Sequence, residues 1–250
     1  MSNSVRLGTV TRLYRYPVKS LLGEPLGAAV VDRRGVEGDR EWAVYTGDGM
    51  IGSGKNSRRF RRVDGLLQLR ATLDARAPGR PPHDGVPRMH LPDGRSLPVD
   101  DPDASDVLSA LLGRPVELRT ETTVPHHDDS PLHLVTTTAL ATLGRELGHE
   151  VEVDRFRPNV VVDTLAAGLL DGYPEDRWIG RDLALGDEVV LAVEGGMPRC
   201  VMVTAEQGDL PPDPSVLTTL GRVHDVDFGV QASVVRGGVI HPGDEVRLLP

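Results

Sequence analysis

The residue with the widest chemical range in this chain is its single cysteine, Cys200, which follows Met197-Pro198-Arg199. A Gly-Gly turn signal at 195–196 and the restricted backbone of Pro198 place it at a step between a turn and an apolar run. Two interpretations are open. Free cysteine is often a small buried hydrophobe, but a thiolate beside cations can bind a soft metal or attack an electrophile. On position alone, the buried hydrophobe is slightly favoured.

Several polar residues are suited to an anion site. Lys19 and Ser20 follow the first predicted strand and offer a point charge and a hydroxyl donor. Arg40 begins another strand, and Arg157 and Asn159 are expected on one side of an extended strand, because side chains alternate there. Two such polar groups on one face suit a planar or phosphate ligand. Each candidate has a structural alternative. Lys19 and Ser20 could form a solvated turn, Arg40 a surface ion pair, and Arg157 and Asn159 could hold a loop by hydrogen bonds.

Two further polar segments have less specific patterns. Residues 55–62 form the only basic run of an acidic chain, which indicates a solvated loop or a site that attracts anions. Residues 126–129 (His-His-Asp-Asp) are possible metal ligands by residue type. Adjacent histidines in an extended chain point to opposite faces, however, and the spacing matches no zinc motif. We expect these four residues to lie in a polar linker.

Composition limits the function classes. The chain has 250 residues, a net charge of −9, 28 glycines and 20 prolines, which suits many short strands and turns. The acidic balance argues against binding to nucleic acid or to an anionic membrane surface. One cysteine excludes an internal disulfide and fits a reducing compartment. With no apolar signal segment and no run of membrane-spanning length, we expect a cytoplasmic protein.

The pattern of elements predicts a mainly β (α+β) fold with a few short helices. Helices are predicted at 105–112 and 137–147, the second capped by Thr136 and ended by Gly148. A composition shift near 122 suggests an N-terminal β-rich domain (1–122) and a C-terminal domain (123–250). Gly-Asp-Glu-Val entering an apolar strand occurs at 186–189 and 243–246, and the density of strand signals indicates a β-barrel-like C-terminal domain.

Taken together, these motifs resemble those of the MOSC proteins, in the same order. More narrowly, the chain is similar to the two-part branch that includes the amidoxime-reducing components. The resemblance covers essentially the whole chain, and its motifs are Tyr16-Pro17-Val18-Lys19-Ser20, Gly38-Asp39-Arg40-Glu41-Trp42, Asp129-Ser130-Pro131, Arg155-Phe156-Arg157-Pro158-Asn159, Pro198-Arg199-Cys200, Phe228-Gly229 and the segment 238–246.

The resemblance implies a β-barrel MOSC domain packed with an N-terminal β-barrel domain, with a molybdenum-cofactor (molybdopterin) cleft between them. Cys200 would be the catalytic residue and the thiolate ligand of molybdenum. The residues implied to bind the cofactor are Lys19, Ser20, Arg40, Asp129, Ser130, Arg157, Asn159, Arg199 and Cys200.

The activity implied is an oxidoreductase that reduces N-oxygenated small molecules. Because one cysteine cannot ligate an iron–sulfur cluster, its electrons would come from a separate protein of ferredoxin or flavin reductase type. Two other hypotheses stay open. One is a non-catalytic carrier in which Cys200 holds the cofactor or a persulfide. The other is a cysteine hydrolase with His224 or His241 as its base.

The chain also departs from the reductase pattern at two places. Gln231 stands where the human-type proteins have a tyrosine, and Gly52-Ser53-Gly54-Lys55 replaces their Arg-Gln pair. These departures concern the substrate pocket more than the cofactor site.

Overall fold

A computed structural model of the chain describes residues 4–73, 85–164, 168 and 171–250. Within these residues it contains eighteen strands, three α-helices and four short 3-10 helices. The strands are β1 (Val5–Arg15), β2 (Glu24–Leu26), β3 (Ala29–Asp32), β4 (Gly35–Val36), β5 (Trp42–Thr46), β6 (Ile51–Ser53), β7 (Phe60–Arg62), β8 (Arg70–Thr72), β9 (Arg88–His90), β10 (Ser96–Pro98), β11 (Val116–Thr120), β12 (Leu132–Thr136), β13 (Val160–Asp163), β14 (Asp182–Leu185), β15 (Val189–Pro198), β16 (Asp227–Arg236), β17 (Gly238–Ile240) and β18 (Glu245–Leu248). The helices are α1 (Ala104–Leu112), α2 (Thr137–Leu147), α3 (Pro214–Val223) and the 3-10 helices Leu66–Gln68, Val153–Phe156, Pro174–Trp178 and Val201–Thr204.

Seven strands close into a barrel. Their order is β13-β12-β16-β15-β14-β18-β1, and β1 pairs back onto β13 to complete the ring. All neighbours are antiparallel except the parallel pair β12–β13. Closure depends on the length of β1, whose first half pairs with β18 and whose second half pairs with β13. Gly8 lies at this change of partner, where an added Cβ would be 2.1 Å from the carbonyl oxygen of Asp163.

The sheets do not follow the order of the chain. Strand β1 belongs to the barrel although the other six barrel strands lie after residue 131, and β17, near the C-terminus, pairs with β3. The predicted fold class, mainly β with short helices and a barrel, is confirmed. The boundary between residues 122 and 123 stays a prediction. The N-terminal half contributes β1 and β2 to the barrel sheet, and the C-terminal half contributes β17 to the sheet of β3 and β4.

Three large hydrophobic cores, together with a small cluster of Ala43, Ile51 and Phe60, support the described structure. The barrel interior contains Trp178 and Leu134, both almost fully buried. A second core lies in the N-terminal half around Leu108 of α1. A third joins α2 and α3 to the stacked rings of Phe156 and Phe228, whose centroids are 4.0 Å apart. This third core therefore holds in place Phe156, which precedes β13, and helix α3, which precedes β16.

The two predicted helices are confirmed. The Oγ1 of Thr136 accepts the backbone N–H of Ala139 (3.1 Å) at the start of α2, and Gly148 ends that helix in the left-handed region. Helix α1 begins one residue earlier than predicted, at Ala104. In the described part of the chain, no helix is both long and apolar enough to cross a membrane.

Candidate functional site

One pocket contains all nine residues that the family resemblance implied to bind the cofactor. It lies where the N-terminal segments meet the end of the barrel. The residues that line it are Lys19, Ser20, Arg40, Ser53, Lys55, His127, Asp128, Asp129, Ser130, His133, Arg155, Phe156, Arg157, Asn159, Met197, Pro198, Arg199, Cys200, Met202 and Val203.

Backbone conformation is unusual at three pocket residues. Ser20, Arg40 and Arg157 have φ angles of 66°, 55° and 52°, and in the described residues only two other non-glycine residues have positive φ. Such conformations cost about 1–3 kcal/mol each and cluster at functional sites. Arg157 therefore ends the 3-10 helix Val153–Phe156, and the strand begins only at Val160. The expectation that Arg157 and Asn159 alternate along one strand was wrong, because a left-handed turn presents them instead.

Two guanidinium groups share the ring of Tyr16. The Arg40 and Arg157 Cζ atoms lie 4.9 and 4.3 Å from its centroid, and the Tyr16 hydroxyl donates to the carbonyl of Pro158 (3.1 Å). Arg40 also pairs with the buried carboxylate of Asp39. Burial lowers the pKa of Arg157 to about 10, and its Nη1 is buried with no hydrogen-bond partner. An orphaned buried N–H is costly, so this group is suited to an anionic ligand.

Two lysines share one carboxylate at the other side of the pocket. Lys19 Nζ donates to Oδ1 of Asp128, and Lys55 Nζ donates to Oδ2 of the same residue (2.9 Å). Burial lowers the pKa of Lys19 to about 8, although Asp128 opposes this effect. Both ammonium groups also lie over the ring of Phe60, at 4.4 and 5.3 Å from its centroid. One carboxylate between two ammonium groups leaves a net positive charge in the pocket.

Arg199 and Cys200 line a third part of the pocket, apart from the Tyr16 and Asp128 groups. Arg199 donates from Nε to the carbonyl of Phe228 (3.0 Å) and from Nη1 to that of Phe156 (3.1 Å), and Nη2 contacts the ring of His133. Burial lowers the pKa of Arg199 to about 9. Among the groups that raise this pKa, Cys200 has the largest effect. Cys200 itself is half-buried, with extended backbone just before the helix Val201–Thr204. Its place in the pocket wall contradicts the interpretation as a core hydrophobe.

The remaining predicted residues are held mainly by the backbone. Ser130 Oγ donates to the carbonyl of Leu132 (2.8 Å). Asn159 accepts the His133 N–H through Oδ1 (3.3 Å) and donates from Nδ2 to the carbonyl of Tyr14 (3.4 Å). Asn159, just before β13, thereby links β12 and β1, the two strands that flank β13 in the barrel. Asp129 is exposed at the rim.

Charge in the pocket is unbalanced toward the positive. Six cationic side chains line it against two carboxylates, Asp128 and Asp129. Counting Asp39 and Glu152 as well, which pair with Arg40 and Arg155, still leaves two more cations than carboxylates. A dianion such as a phosphate would balance this excess. In the described residues, no group of three or more His, Cys, Asp or Glu side chains is arranged to hold a metal.

The segment 126–129 is not a polar linker, so that expectation was wrong. His126 and His127 are buried, and the ring of His126 is bonded to the Tyr45 hydroxyl (2.9 Å) and the Arg40 carbonyl (3.0 Å). Burial lowers the pKa values of both histidines to about 4. Asp128, the carboxylate that binds both lysines, was missed because the sequence does not distinguish it from Asp129.

The basic residues of the segment 55–62 lie in two different environments. Lys55 lines the pocket, whereas Arg61 and Arg62 pair at the surface with Asp48 and Asp64, each at 2.7 Å. Residues 55–62 therefore contribute a lysine to the pocket and two arginines to surface ion pairs, and the anion site stays a prediction.

Neither histidine of the hydrolase hypothesis lies in the pocket. His224 bonds Asp176 through Nε2 (2.8 Å) and stacks on Tyr173 at 3.7 Å. His241 instead lies beside Asp244. The geometry thus gives Cys200 no base from either residue.

Family models match most of the chain. Residues 7–111 match the MOSC N-terminal beta barrel domain, and residues 121–247 match the MOSC domain. The human mitochondrial amidoxime-reducing component 1 is 26% identical over an alignment 297 positions long. The alignment covers 98% of this chain and 84% of that protein. A molybdenum cofactor sulfurase from Drosophila grimshawi is 34% identical over 102 residues, which cover 40% of this chain and 12% of the sulfurase. The YUAD protein from Bacillus subtilis shares the fold, with a TM-score of 0.50 at 14% identity over 99% of this chain and 98% of that one.

Proposed function

The chain belongs to the MOSC family, and from that premise we propose that it is a molybdenum-cofactor-dependent oxidoreductase. Its substrates are N-oxygenated small molecules whose N–O bond is reduced. The observation that carries the proposal is the pocket itself, in which an excess of buried cations surrounds the half-buried Cys200. The near full-length similarity to an amidoxime-reducing component supports the choice of reaction.

The residues present fit a phosphorylated pterin. The unpartnered Nη1 of Arg157 and the excess of two cations both call for a dianionic ligand. Lys19, Ser20, Arg40 and Arg157 would hold its phosphate and pterin. Arg199 adds a further guanidinium beside Cys200, and Asn159 keeps the floor of the site in place. Asp129 lies at the rim, and Ser130 lines the pocket from a buried position.

The sulfur of Cys200 fits a soft metal. Thiolates suit such centres, and metal binding keeps the thiol deprotonated. When bound, the cofactor supplies the two-electron redox chemistry, and the protein contributes binding and electrostatics. The buried cations of the pocket orient the anionic group and favour negative charge that develops near them. The electrons come from a separate protein of ferredoxin or flavin reductase type.

A second candidate is a carrier that holds the cofactor, or a persulfide on Cys200, without turnover. The similarity to a molybdenum cofactor sulfurase favours it, although that similarity covers 40% of this chain. The two candidates differ in one respect. A carrier binds the group without reducing a substrate.

The test is a reductase assay on purified protein that contains molybdenum. Amidoximes, N-hydroxylated amines and N-oxides are incubated with the loaded protein and a chemical reductant under anaerobic conditions, and the deoxygenated product is quantified. We expect turnover in wild type and at least a 100-fold loss in Cys200→Ala. Absence of product from every compound, with molybdenum present, would refute the oxidoreductase and favour the carrier.

A further inference from the structure

Lysine is used in this protein at two places only. Of its 28 basic residues, 26 are arginines, and the two lysines are Lys19 and Lys55. Both line the pocket and both bind the carboxylate of Asp128. Arginine presents a broad planar fork, whereas lysine carries a compact ammonium with three rotatable donors. At these two pocket positions the chain carries a compact ammonium, whereas the other four cations of the pocket are guanidinium groups.

Lys55 differs from Lys19 in access and in its neighbours. Its side chain is 21% exposed, against 5% for Lys19. Partial burial lowers the pKa of Lys55, but the charge and hydrogen bond of Asp128, with smaller contributions from Cys200 and Asp129, raise it overall. Lys55 is therefore charged at neutral pH, and it lines the same pocket as Cys200. Asp128 accepts from its ammonium group, which has three N–H donors.

Two other cations of the described pocket differ from Lys55 in their partners or their access. Arg199 donates to two carbonyls. Arg155 pairs with Glu152 and donates to the carbonyl of Pro211, and although its Nη1 has no partner, its side chain is only 2% exposed. His127 and His133 are neutral near pH 7, because burial lowers their pKa values. Lys55 remains as an accessible cation that is not needed to hold the phosphate.

We propose, on the basis of the function proposed above, that the Lys55 ammonium donates a hydrogen bond to the nitrogen-bound oxygen of the substrate. The interaction positions that oxygen beside Cys200 and stabilises the negative charge it gains as the N–O bond breaks. In the overall reaction two electrons from the donor protein and two protons from solvent convert R–N–OH to R–N–H and water. Lys55 keeps its proton at the end of the cycle. Asp128 fixes the ammonium in place.

The experiment uses the molybdenum-loaded protein and benzamidoxime, a simple aryl amidoxime, as the probe. Wild type is compared with Lys55→Met, with the cationic Lys55→Arg, and with Arg58→Met, which removes a positive charge from the same loop at an exposed position outside the pocket. Steady-state rates give kcat and KM. Calorimetry on the oxidised protein, without electron donor, gives the affinities for benzamidoxime and for benzamidine, which lacks the oxygen.

We expect Lys55→Met to lower kcat/KM about 100-fold and the affinity for benzamidoxime about 10-fold, with molybdenum and pterin content unchanged. Benzamidine, itself a cation, should bind Lys55→Met at least as tightly as wild type. Lys55→Arg should recover at least about a tenth of the wild-type rate, and Arg58→Met should match wild type.

Two results would overturn the proposal. One is a Lys55→Met protein that keeps kcat/KM within about threefold of wild type. The other is an equal loss of affinity for benzamidoxime and benzamidine, which would indicate a structural role. If benzamidoxime binding depends on Lys55 but no reduction occurs in wild type, the assignment of Lys55 stands and the proposed reaction fails.

Discussion

The burial of Lys19 makes the stability of the cofactor-free protein depend on pH. Its pKa is lowered from 10.5 to about 8, chiefly by desolvation. At about 1.36 kcal/mol per pKa unit, this corresponds to roughly 3 kcal/mol. The unfolded chain keeps the Lys19 proton up to pH 10.5, whereas the folded protein releases it near pH 8. The unfolded state thus binds more protons between these values, and stability should rise with pH there.

The perturbation that isolates this effect is Lys19→Met. The free energy of unfolding of wild type and variant is measured by urea titration at intervals from pH 7 to 10.5. All other titrating groups contribute nearly equally to both proteins, so the difference reports Lys19. We expect wild type to gain about 3 kcal/mol relative to Lys19→Met across this range. Because the chain has two lysines, selective ¹³C labelling at Cε gives two resonances, which follow both ammonium groups directly.

A ligand control ties the measurement to the site. Phosphate binding near Lys19 favours its charged form, so saturating phosphate should raise the pKa of Lys19 and flatten the dependence on pH. A difference between wild type and Lys19→Met that stays constant from pH 7 to 10.5 would refute the argument. So would a Cε resonance of Lys19 that titrates at the ordinary lysine value.

Three further perturbations test other parts of the structure. Asp128→Asn leaves the buried Lys19 ammonium without its carboxylate and should destabilise the protein by about 2 kcal/mol in urea at pH 7; a loss below about 0.5 kcal/mol would contradict the pairing. Gly229→Ala places a Cβ 2.4 Å from the Leu134 carbonyl oxygen at φ 75° and should cost about 3 kcal/mol. Gly195→Ala, with no atom within 4 Å of the added Cβ, is its control and should change stability little. Burial raises the pKa of Glu175 from 4.5 to about 7, so wild type loses stability as pH rises through this window. Glu175→Gln should therefore gain about 3 kcal/mol relative to wild type between pH 4.5 and 7.5, and a constant difference would exclude the raised pKa.

Local signals predicted helices well where capping and periodicity agreed. Helix α2 has both its N-cap, Thr136, and its terminal glycine, Gly148, at the expected positions. Helix α3 was missed although its signal was present. Asp213 caps it, Pro214 occupies its first turn, and buried Val216 and Leu220 lie one helical turn apart.

Long-range pairing was not predictable from these patterns. The repeated Gly-Asp-Glu-Val segments lie in the barrel as expected, and the strands beside them, β14 and β18, pair with each other. Strand β1 closes the barrel because it pairs with β13 and with β18, which lie about 150 and 240 residues further along the chain. Period-two alternation identifies a strand and its buried face, but it contains no information on the neighbour.

Residue types indicated the candidate site, whereas its geometry came from the fold. Lys19, Arg40 and Arg157 were candidates for an anion site by residue type, and all three line one pocket. The left-handed backbone at Arg157 could not be foreseen, because arginine has no preference for that conformation. The choice of Asp128 over Asp129 depends on which carboxylate faces the lysines, and only the packed structure decides this.

The central claim is that this pocket binds a molybdenum cofactor through Cys200. The most direct measurement is the molybdenum and pterin content of protein purified from a host that makes the cofactor, for wild type and Cys200→Ser. We expect about one molybdenum and one pterin per wild-type chain, and at least a tenfold loss of molybdenum in Cys200→Ser. Wild-type protein that contains neither molybdenum nor pterin would contradict the claim.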